Sequence, residues 1–199
     1  PGGAQSEEIS TIERGSGGDG VSVMGDSKKL RVGVAGLGTV GGGLLKLFAD
    51  ENGRLNEKLE LVAVSARNRG RQRGVNIERY QWFDDPVELA ANPDVDVVVD
   101  LRGGSEGPAK RGVETALERG AHVVTANKAL VAVHGAKLAE ISERTGAKLL
   151  FEAAVGGGVP MVKALKESLA GCRASAVAGI LNGTCNYILT EMEQTGRSF

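Results

Sequence analysis

Glycine recurs at positions 36, 38 and 41, between an apolar run and a helical pattern. The run before these glycines, residues 30–35, predicts a buried strand. The residues after them predict a helix over 40–52, whose apolar side carries Leu44, Leu45, Leu47 and Phe48. A strand that turns into a helix within a few residues needs backbone freedom at the turn, which glycine provides. The feature therefore predicts a strand, a tight turn and a helix at the start of an α/β domain.

Strand-like and helical segments continue to alternate along the chain, with short connections between them. Strands are predicted over residues 59–65, 95–101, 122–125 and 148–151, and helices over 87–91, 108–119 and 136–144. Repeated alternation of this kind predicts a Rossmann-type doubly wound parallel sheet with right-handed crossovers. Beyond residue 152 we expect a glycine-rich turn, a helix over 161–169, a strand-like segment over 175–181 and a helix from Thr184.

These patterns divide the chain into three parts. Residues 1–29 are rich in Gly, Ser and Glu, and are interpreted as a flexible N-terminal arm or tag, in which Met24 is a candidate natural start. Residues 30–152 are predicted to form a dinucleotide-binding domain. Residues 153–199 are interpreted as the incomplete beginning of a second domain.

Charge and composition exclude several classes of function. The formal net charge is -1, from 24 basic and 25 acidic residues, so no nucleic-acid partner is expected. No apolar run approaches the roughly 20 residues of a membrane-spanning helix. The two cysteines, Cys172 and Cys185, lie too far apart in sequence for a short-range pair. We therefore expect both to be buried and reduced, in a protein of the cytoplasm without a membrane association.

The glycine-rich turn has the spacing of a dinucleotide-binding loop. In such loops the first glycine, here Gly36, permits the tight turn, and the second, Gly38, lets the backbone approach a pyrophosphate. The third, Gly41, lets the helix pack closely on the strand. The helix N-terminus at Thr39 and Val40 then offers amide donors to the phosphates. The alternative interpretation is an ordinary strand-to-helix turn.

The end of the second strand bears on the choice of cofactor. An acidic residue that would bind the ribose diol of NAD is missing there, and Arg67 follows the strand instead. A guanidinium suits a 2′-phosphate, so the sequence favours NADP, with NAD left open. Alternatively, the arginines at 67, 69, 71 and 73 belong to a solvated loop, which is the interpretation we favour for Arg71 and Arg73.

Three later segments resemble the homoserine dehydrogenase family: residues 125–130 (TANKAL), 152–160 (EAAVGGGVP) and 179–189 (GILNGTCNYIL). The resemblance runs from Leu30 to the end of the chain. It implies reversible, NAD(P)-dependent hydride transfer between L-homoserine and L-aspartate 4-semialdehyde, both small molecules, in threonine, methionine and isoleucine biosynthesis.

Lys128 is the candidate catalytic residue. It directly follows a predicted strand, at the carboxyl edge where open parallel sheets bind ligands. An ammonium there can stabilise the negative charge that develops on a carbonyl oxygen and can supply the proton. The resemblance assigns the same role to this lysine, alone or shared with a second lysine, and also implies contact with the cofactor.

The resemblance adds further site residues. It places Gly183 beside the cofactor, with Asn182 and Thr184 at the substrate. Gly104 and Ser105 follow the strand predicted over 95–101 at the carboxyl edge of the sheet, where we expect the nicotinamide ribose. The family has a glutamate and an apolar residue before the glycine pair Gly103–Gly104, whereas Asp100, Leu101 and Arg102 precede it here. The candidate cofactor-binding residues are therefore Gly36, Gly38, Thr39, Val40, Gly41, Arg67, Gly104, Ser105, Lys128 and Gly183.

The resemblance also implies a structural monovalent cation such as sodium. Its ligands would be Glu152 and the backbones of Val155, Gly157 and Val159, in a turn whose carbonyl oxygens suit a hard cation. The alternative is a tight turn in which Glu152 accepts hydrogen bonds from the backbone.

The resemblance implies that residues 153–199 begin an α+β domain that binds substrate and forms a homodimer, with the substrate carboxylates and the second lysine beyond the position of Phe199. We therefore expect the 199-residue chain to bind NADP but to turn over poorly. The rival interpretations are another reductase with the same nucleotide fold and a cofactor-binding module without catalysis. An aspartate semialdehyde dehydrogenase would need a catalytic cysteine, and a dihydrodipicolinate reductase a histidine-rich motif; neither is visible in the sequence.

Overall fold

The computed structural model describes residues 28–50, 53–173, 175, 176, 178 and 183–199. Within them the strands are β1 (Leu30–Ala35), β2 (Leu59–Ser65), β3 (Gln81–Phe83), β4 (Val97–Asp100), β5 (His122–Thr125) and β6 (Leu149–Leu150). The helices are α1 (Thr39–Ala49), α2 (Leu55–Lys58), α3 (Pro86–Ala91), α4 (Pro108–Glu118), α5 (Lys128–Thr145), α6 (Glu152–Val155), α7 (Met161–Lys163) and α8 (Gly183–Thr195).

All six strands lie in one parallel sheet in the order β3-β2-β1-β4-β5-β6. The chain builds outward from β1 in one direction as far as β3, and then returns to β4 and builds in the other direction. The order therefore reverses between β1 and β4, which is where open α/β sheets bind ligands. The predicted Rossmann-type doubly wound sheet is confirmed.

Two apolar layers cover the two faces of the sheet. On one face the buried side chains of α3, α4 and α5, such as Leu89, Val113 and Leu138, pack against Val98 and Val123. On the other face α1 contributes its buried side chains to a cluster with alternate strand residues, a set that comprises Leu45, Phe48, Val32, Val34 and Val64. Successive side chains of a strand point to opposite faces of the sheet. Because both faces are covered, the inner strands have apolar residues at successive positions.

The turn between β1 and α1 is packed too tightly for a side chain at Gly41. A Cβ built on Gly41 would lie 2.0 Å from the carbonyl oxygen of Gly36. The next residue, Gly42, has nothing within 4 Å of such a Cβ, although it lies in the same helix. Gly41 therefore allows α1 to start directly beside the end of β1, whereas Gly42 has no comparable steric role.

Helix α5 is longer than predicted. It begins at Lys128, directly after β5, whereas the sequence pattern predicted a helix only over 136–144. The side-chain oxygen of Asn127 accepts a hydrogen bond from the amide of Leu130 at 3.2 Å and caps the first turn. Val131, Val133 and Gly135 have low helix propensity, and they hide these first turns from a sequence pattern.

Three short elements were not predicted at all: α2, β3 and α6. Each has only three or four residues, too few to show a periodic pattern. The predicted strand over 148–151 shrinks to Leu149–Leu150, and Glu152 begins α6 rather than the glycine-rich turn. The other predicted elements are present, with ends that differ by a few residues.

The segment after residue 160 also differs from expectation. The predicted helix over 161–169 is α7 followed by a π-helical turn, Ala164–Ser168. Cys172 and Cys185 are both exposed, so the prediction that they are buried is wrong. The reason is that α7, the π-helical turn and α8 bury none of their residues within the described structure.

Some predictions fall outside the described residues. These are residues 1–27 of the predicted N-terminal arm, most of the strand-like segment over 175–181, and the site residue Asn182. Among the helices of the described ranges, none is both long and apolar enough to cross a membrane.

The first testable consequence concerns the tight turn. We expect Gly41→Ala to lower the free energy of unfolding by about 1–3 kcal/mol, because the new methyl group must displace backbone rather than a flexible side chain. The matched control, Gly42→Ala, should raise it by about 0.5–1 kcal/mol through helix propensity. Chemical denaturation of both variants measures the difference; equal effects at the two positions would contradict the packing described here.

An ion pair joins the start of β1 to the turn before β4. The carboxylate of Asp96 accepts hydrogen bonds from the backbone amide of Arg31 at 2.8 Å and from its guanidinium at 3.1 and 3.0 Å. The Arg31 guanidinium also contacts Asp94, at 2.6 Å, but that carboxylate is 74% exposed. The hydrogen bonds from Arg31 hold the pKa of Asp96 below its ordinary value.

Because the pKa of Asp96 is lower in the folded state than in the unfolded state, its stabilising effect is present near neutral pH and is lost as the carboxylate is protonated. We expect Asp96→Asn to lower the melting temperature at pH 7, and the difference from the unchanged chain to shrink between about pH 4 and pH 2. Asp94→Asn, at the more exposed carboxylate, should have a smaller effect at every pH. Thermal unfolding across this pH range tests both statements.

Candidate active site at the carboxyl edge of the sheet

The segments that follow β1, β4 and β5 leave the sheet side by side. The amide of Gly36 donates to the carbonyl of Ser65 at 2.9 Å, and the amide of Leu101 donates to Ala35 at 2.8 Å. The amide of Ala126 donates to the carbonyl of Asp100 at 3.0 Å. The ladder therefore extends one residue past the strands, and it fixes these three segments relative to each other at one edge.

The predicted dinucleotide turn has the geometry that phosphates require. Gly36 has a φ of 104°, and a Cβ on it would lie 2.9 Å from the backbone of Leu101, so glycine is needed on both counts. Gly38 precedes α1, where no side chain caps the helix, and nothing lies within 4 Å of its Cβ position. The backbone amides of Thr39, Val40 and Gly41, the first residues of α1, have no acceptor within the helix. A pyrophosphate fits this arrangement of open backbone and unpaired donors.

A buried carboxylate lies at the end of β4. Asp100 is fully buried; it accepts a hydrogen bond from the Arg102 Nε at 2.7 Å and another from the Thr125 hydroxyl at 3.1 Å. The Arg102 guanidinium also donates to the carbonyl of Pro108 at 3.1 Å, at the start of α4. The charge of Arg102, near a position where the family has an apolar residue, is therefore paired and directed inward.

Asn127 joins two parts of the site, and the sequence analysis missed it as a functional residue. Its side chain is buried and donates to the carbonyl of Gly104 at 2.7 Å, while its oxygen caps α5. Its backbone amide donates to the Thr125 hydroxyl at 3.0 Å. An asparagine directly before a helix that begins at a candidate catalytic lysine is a capping signal, which could have identified it.

The loop after β4 carries the predicted residues Gly104 and Ser105. Gly104 has a φ of 90°, and Ser105 is half-buried. At the end of the loop Glu106 lies 2.6 Å from His134 of α5, and this hydrogen bond is the main cause that lowers the pKa of Glu106. The loop is therefore held from α5 at two points, by Asn127 and by His134.

Lys128 is the first residue of α5, directly after the buried Asn127, and its side chain is exposed. Its backbone position is fixed by the cap and by β5. Within the described residues, none of the ion pairs involves Lys128. A cation at this edge is therefore available to a bound molecule.

The residues predicted to bind a monovalent cation lie in α6 and in the turn that follows it. The Glu152 carboxylate accepts hydrogen bonds from the backbone amides of Val162 at 3.0 Å and Lys163 at 2.9 Å. This is the alternative that the sequence left open, in which Glu152 binds backbone. The carbonyl of Val159 is also engaged, by the amide of Met161 at 2.8 Å. No group of three or more acidic, histidine or cysteine side chains suited to a metal occurs among the described residues.

Three other predicted site residues, Gly183, Thr184 and Arg67, lie at exposed positions. Gly183 and Thr184 begin α8 and are exposed, so their role at the substrate stays a prediction. Arg67 is exposed two residues past Ser65, the end of β2, whose carbonyl accepts a hydrogen bond from the Gly36 amide. Arg73, expected to be a solvated loop residue, is instead half-buried with its guanidinium bonded to backbone, so that expectation is wrong.

The chain matches known proteins both in sequence and in structure. The family model described as the homoserine dehydrogenase NAD binding domain matches residues 36–152, and the homoserine dehydrogenase model matches residues 160–199. Homoserine dehydrogenases from Neisseria gonorrhoeae and Synechocystis are 42% and 41% identical over 86% and 85% of this chain. The crystal structure of a homoserine dehydrogenase from Thiobacillus denitrificans superposes with a TM-score of 0.72 and 40% identity over 85% of this chain.

This chain spans 40% of the length of these curated relatives and of that crystal structure. The two family models together cover the glycine-rich turn from Gly36, strands β2 to β6 and the segment from residue 160 to residue 199. The chain therefore belongs to the homoserine dehydrogenase family.

Proposed function

We propose that this chain is the cofactor-binding part of an enzyme that transfers hydride reversibly between L-homoserine and L-aspartate 4-semialdehyde. The observation that carries the proposal is the placement of Lys128 and the Gly36–Gly41 turn at one sheet edge, on strands separated only by β4. Family membership supports the choice of substrates. On the same ground we infer that the whole protein acts as a cytoplasmic homodimer.

Backbone amides bind the pyrophosphate of the nucleotide, and a side chain binds its ribose 2′-phosphate. The amides at the start of α1, those of Thr39, Val40 and Gly41, receive the pyrophosphate, and the open space at Gly38 lets it approach. Arg67 lies past the neighbouring strand, where a guanidinium can bind a ribose 2′-phosphate in two parallel hydrogen bonds. This arrangement favours NADP.

The chemical step requires a cation next to the carbonyl that is reduced. NADPH supplies the hydride that reaches the aldehyde carbon. The Lys128 ammonium stabilises the negative charge that grows on the aldehyde oxygen and then donates a proton from Nζ to it, so that a neutral hydroxyl forms. In the reverse direction Lys128 accepts that proton. Asn127 holds Lys128 and the Gly104 carbonyl in a fixed relation while this occurs.

Two further assignments belong to the proposal. Gly183 approaches the cofactor, and Asn182 and Thr184 bind the substrate, as the family resemblance implies. A monovalent cation, such as sodium, binds near Glu152 with backbone oxygens from Val155, Gly157 and Val159. Both carboxylate oxygens of Glu152 already accept one amide each, which leaves each of them further acceptor capacity.

The cofactor assignment gives a direct binding prediction. We expect the chain to bind NADPH more tightly than NADH, and Arg67→Ala to weaken NADPH binding about tenfold to a hundredfold while NADH binding stays within twofold. Arg71→Ala removes the same charge from an exposed position of the same loop and should change neither affinity by more than about twofold. Cofactor fluorescence titrations give these constants, and an equal loss for both cofactors in Arg67→Ala would argue against a 2′-phosphate contact.

The catalytic assignment is tested at Lys128. In the longest form of the protein that its gene encodes, Lys128→Ala should lower kcat for homoserine oxidation by about 10²–10⁴, because the proton donor and the cation are both lost. NADPH affinity should change far less than kcat. Lys128→Arg keeps the positive charge, but a guanidinium is a poor proton donor. This variant should therefore recover only part of the rate. Undiminished turnover in Lys128→Ala, with NADPH still bound, would remove Lys128 from the catalytic role.

A further inference from the structure

The loop between β2 and β3 is built around the side chain of Arg73. Its guanidinium donates to three backbone carbonyls, those of Asn68 at 2.5 Å, Arg71 at 2.7 Å and Arg69 at 3.3 Å. One planar cation thus closes residues 68–73 into a compact turn. The arginines at 67, 69, 71 and 73 suggested a solvated loop. A sequence pattern cannot show that one of these side chains, that of Arg73, folds back onto the backbone.

Arg73 makes these bonds in place of an ion pair. No carboxylate within the described residues pairs with it, and its buried Nε has no hydrogen-bond partner. Burial is the main cause that lowers the pKa of Arg73, and the charge of Arg71 adds to it. A half-buried cation without a carboxylate is costly, so its three carbonyl bonds must be retained for the loop to keep this shape.

Trp82 of β3 lies against the same loop. The guanidinium centres of Arg69 and Arg73 lie 5.8 and 6.0 Å from its ring centroid, within the range of a cation–π contact. The indole Nε1 donates to Asp84 at 2.7 Å, which fixes the orientation of the ring. The ring therefore limits the movement of Arg69 and connects the loop to the edge strand.

The loop starts at the site described above. Ser65, the last residue of β2, accepts the hydrogen bond from Gly36, and Arg67 follows two residues later. Carbonyl oxygens that point toward a phosphate repel it, and Arg73 engages three carbonyls of this loop. Arg67 and Arg69 are therefore exposed on a loop in which three backbone carbonyls already accept hydrogen bonds from Arg73.

We propose that Arg73 is a positioning residue that holds residues 67–71 in the shape that directs Arg67 and Arg69 toward the ribose 2′-phosphate, and that it thereby sets the preference for NADP over NAD. This inference rests on the proposed function, in which Arg67 binds that phosphate. It adds a residue that touches no cofactor atom and acts through the loop backbone. Its effect is expected on the ratio of the two affinities rather than on cofactor binding in general.

The test compares NADPH and NADH affinities of the 199-residue chain in four variants, with the melting temperature of each. Arg73→Lys keeps the charge but cannot donate to three carbonyls in one plane. It should weaken NADPH binding about fivefold to tenfold and leave NADH binding within twofold. Arg71→Ala, whose removed side chain donates to no carbonyl of the loop, is the control and should leave the ratio unchanged.

Trp82→Leu provides a second route if Arg73→Lys does not fold, because it removes the ring behind Arg69 without touching the carbonyl bonds. It should weaken NADPH binding about threefold, again with little change for NADH. If both variants leave the ratio of affinities unchanged, or lower both affinities equally, the inference about Arg73 is overturned.

Arg67→Ala separates that failure from a failure of the proposed function. A selective loss of NADPH in Arg67→Ala, with no selective loss in Arg73→Lys and Trp82→Leu, refutes the positioning role but keeps the 2′-phosphate contact. A non-selective effect in Arg67→Ala refutes the phosphate contact itself, and the inference falls with it.

Discussion

The carboxylate of Asp100 is fully buried at the end of β4, near the middle of the sheet. A buried charge is tolerated only when it is paired and hydrogen-bonded, so its partners cannot be exchanged freely. Here they are the Arg102 guanidinium and the Thr125 hydroxyl, which lie in the segment after β4 and at the end of β5. Removal of one partner of such a pair typically costs about 3–5 kcal/mol, and this explains why the two segments keep one arrangement.

The rest of the site is connected to this pair. Thr125 accepts the amide of Asn127, and Asn127 in turn holds the Gly104 carbonyl and caps the helix that begins at Lys128. On the other side the Arg102 stem packs against Gly36, where a Cβ would come within 3.0 Å of its Cγ. The buried charge therefore links the phosphate turn, the loop after β4 and the candidate catalytic lysine. Three of these contacts, from Thr125 to Asp100, from Asn127 to Gly104 and from Arg102 to Gly36, join segments far apart in the sequence, so residue spacing does not reveal them.

The fold was largely predictable from sequence because its signals are local. Apolar runs mark the inner strands, and Pro108 and Gly146 mark helix ends that the structure confirms. The close approach of Gly41 to Gly36 also follows from a local spacing. β3 was missed because three residues show no period, and the first turns of α5 because their propensity is poor; in both cases tertiary contacts decide the structure. Cys172 and Cys185 were assigned to a core because of their residue type, yet their segments bury no side chain.

In both walls of the proposed nucleotide site a guanidinium binds backbone carbonyls, although only Arg102 also pairs with a carboxylate, that of Asp100. Arg73 after β2 and Arg102 after β4 each direct a guanidinium at backbone carbonyls of their own loop or of the helix that follows it. These strands flank β1, so the two arginines stand on either side of the phosphate turn. Charged side chains are usually expected to extend into solvent or toward a ligand. Here two of them fix backbone instead, so both loops keep their shape before any nucleotide binds. The loss of conformational entropy on nucleotide binding is then smaller, because these loops are already ordered in the folded protein.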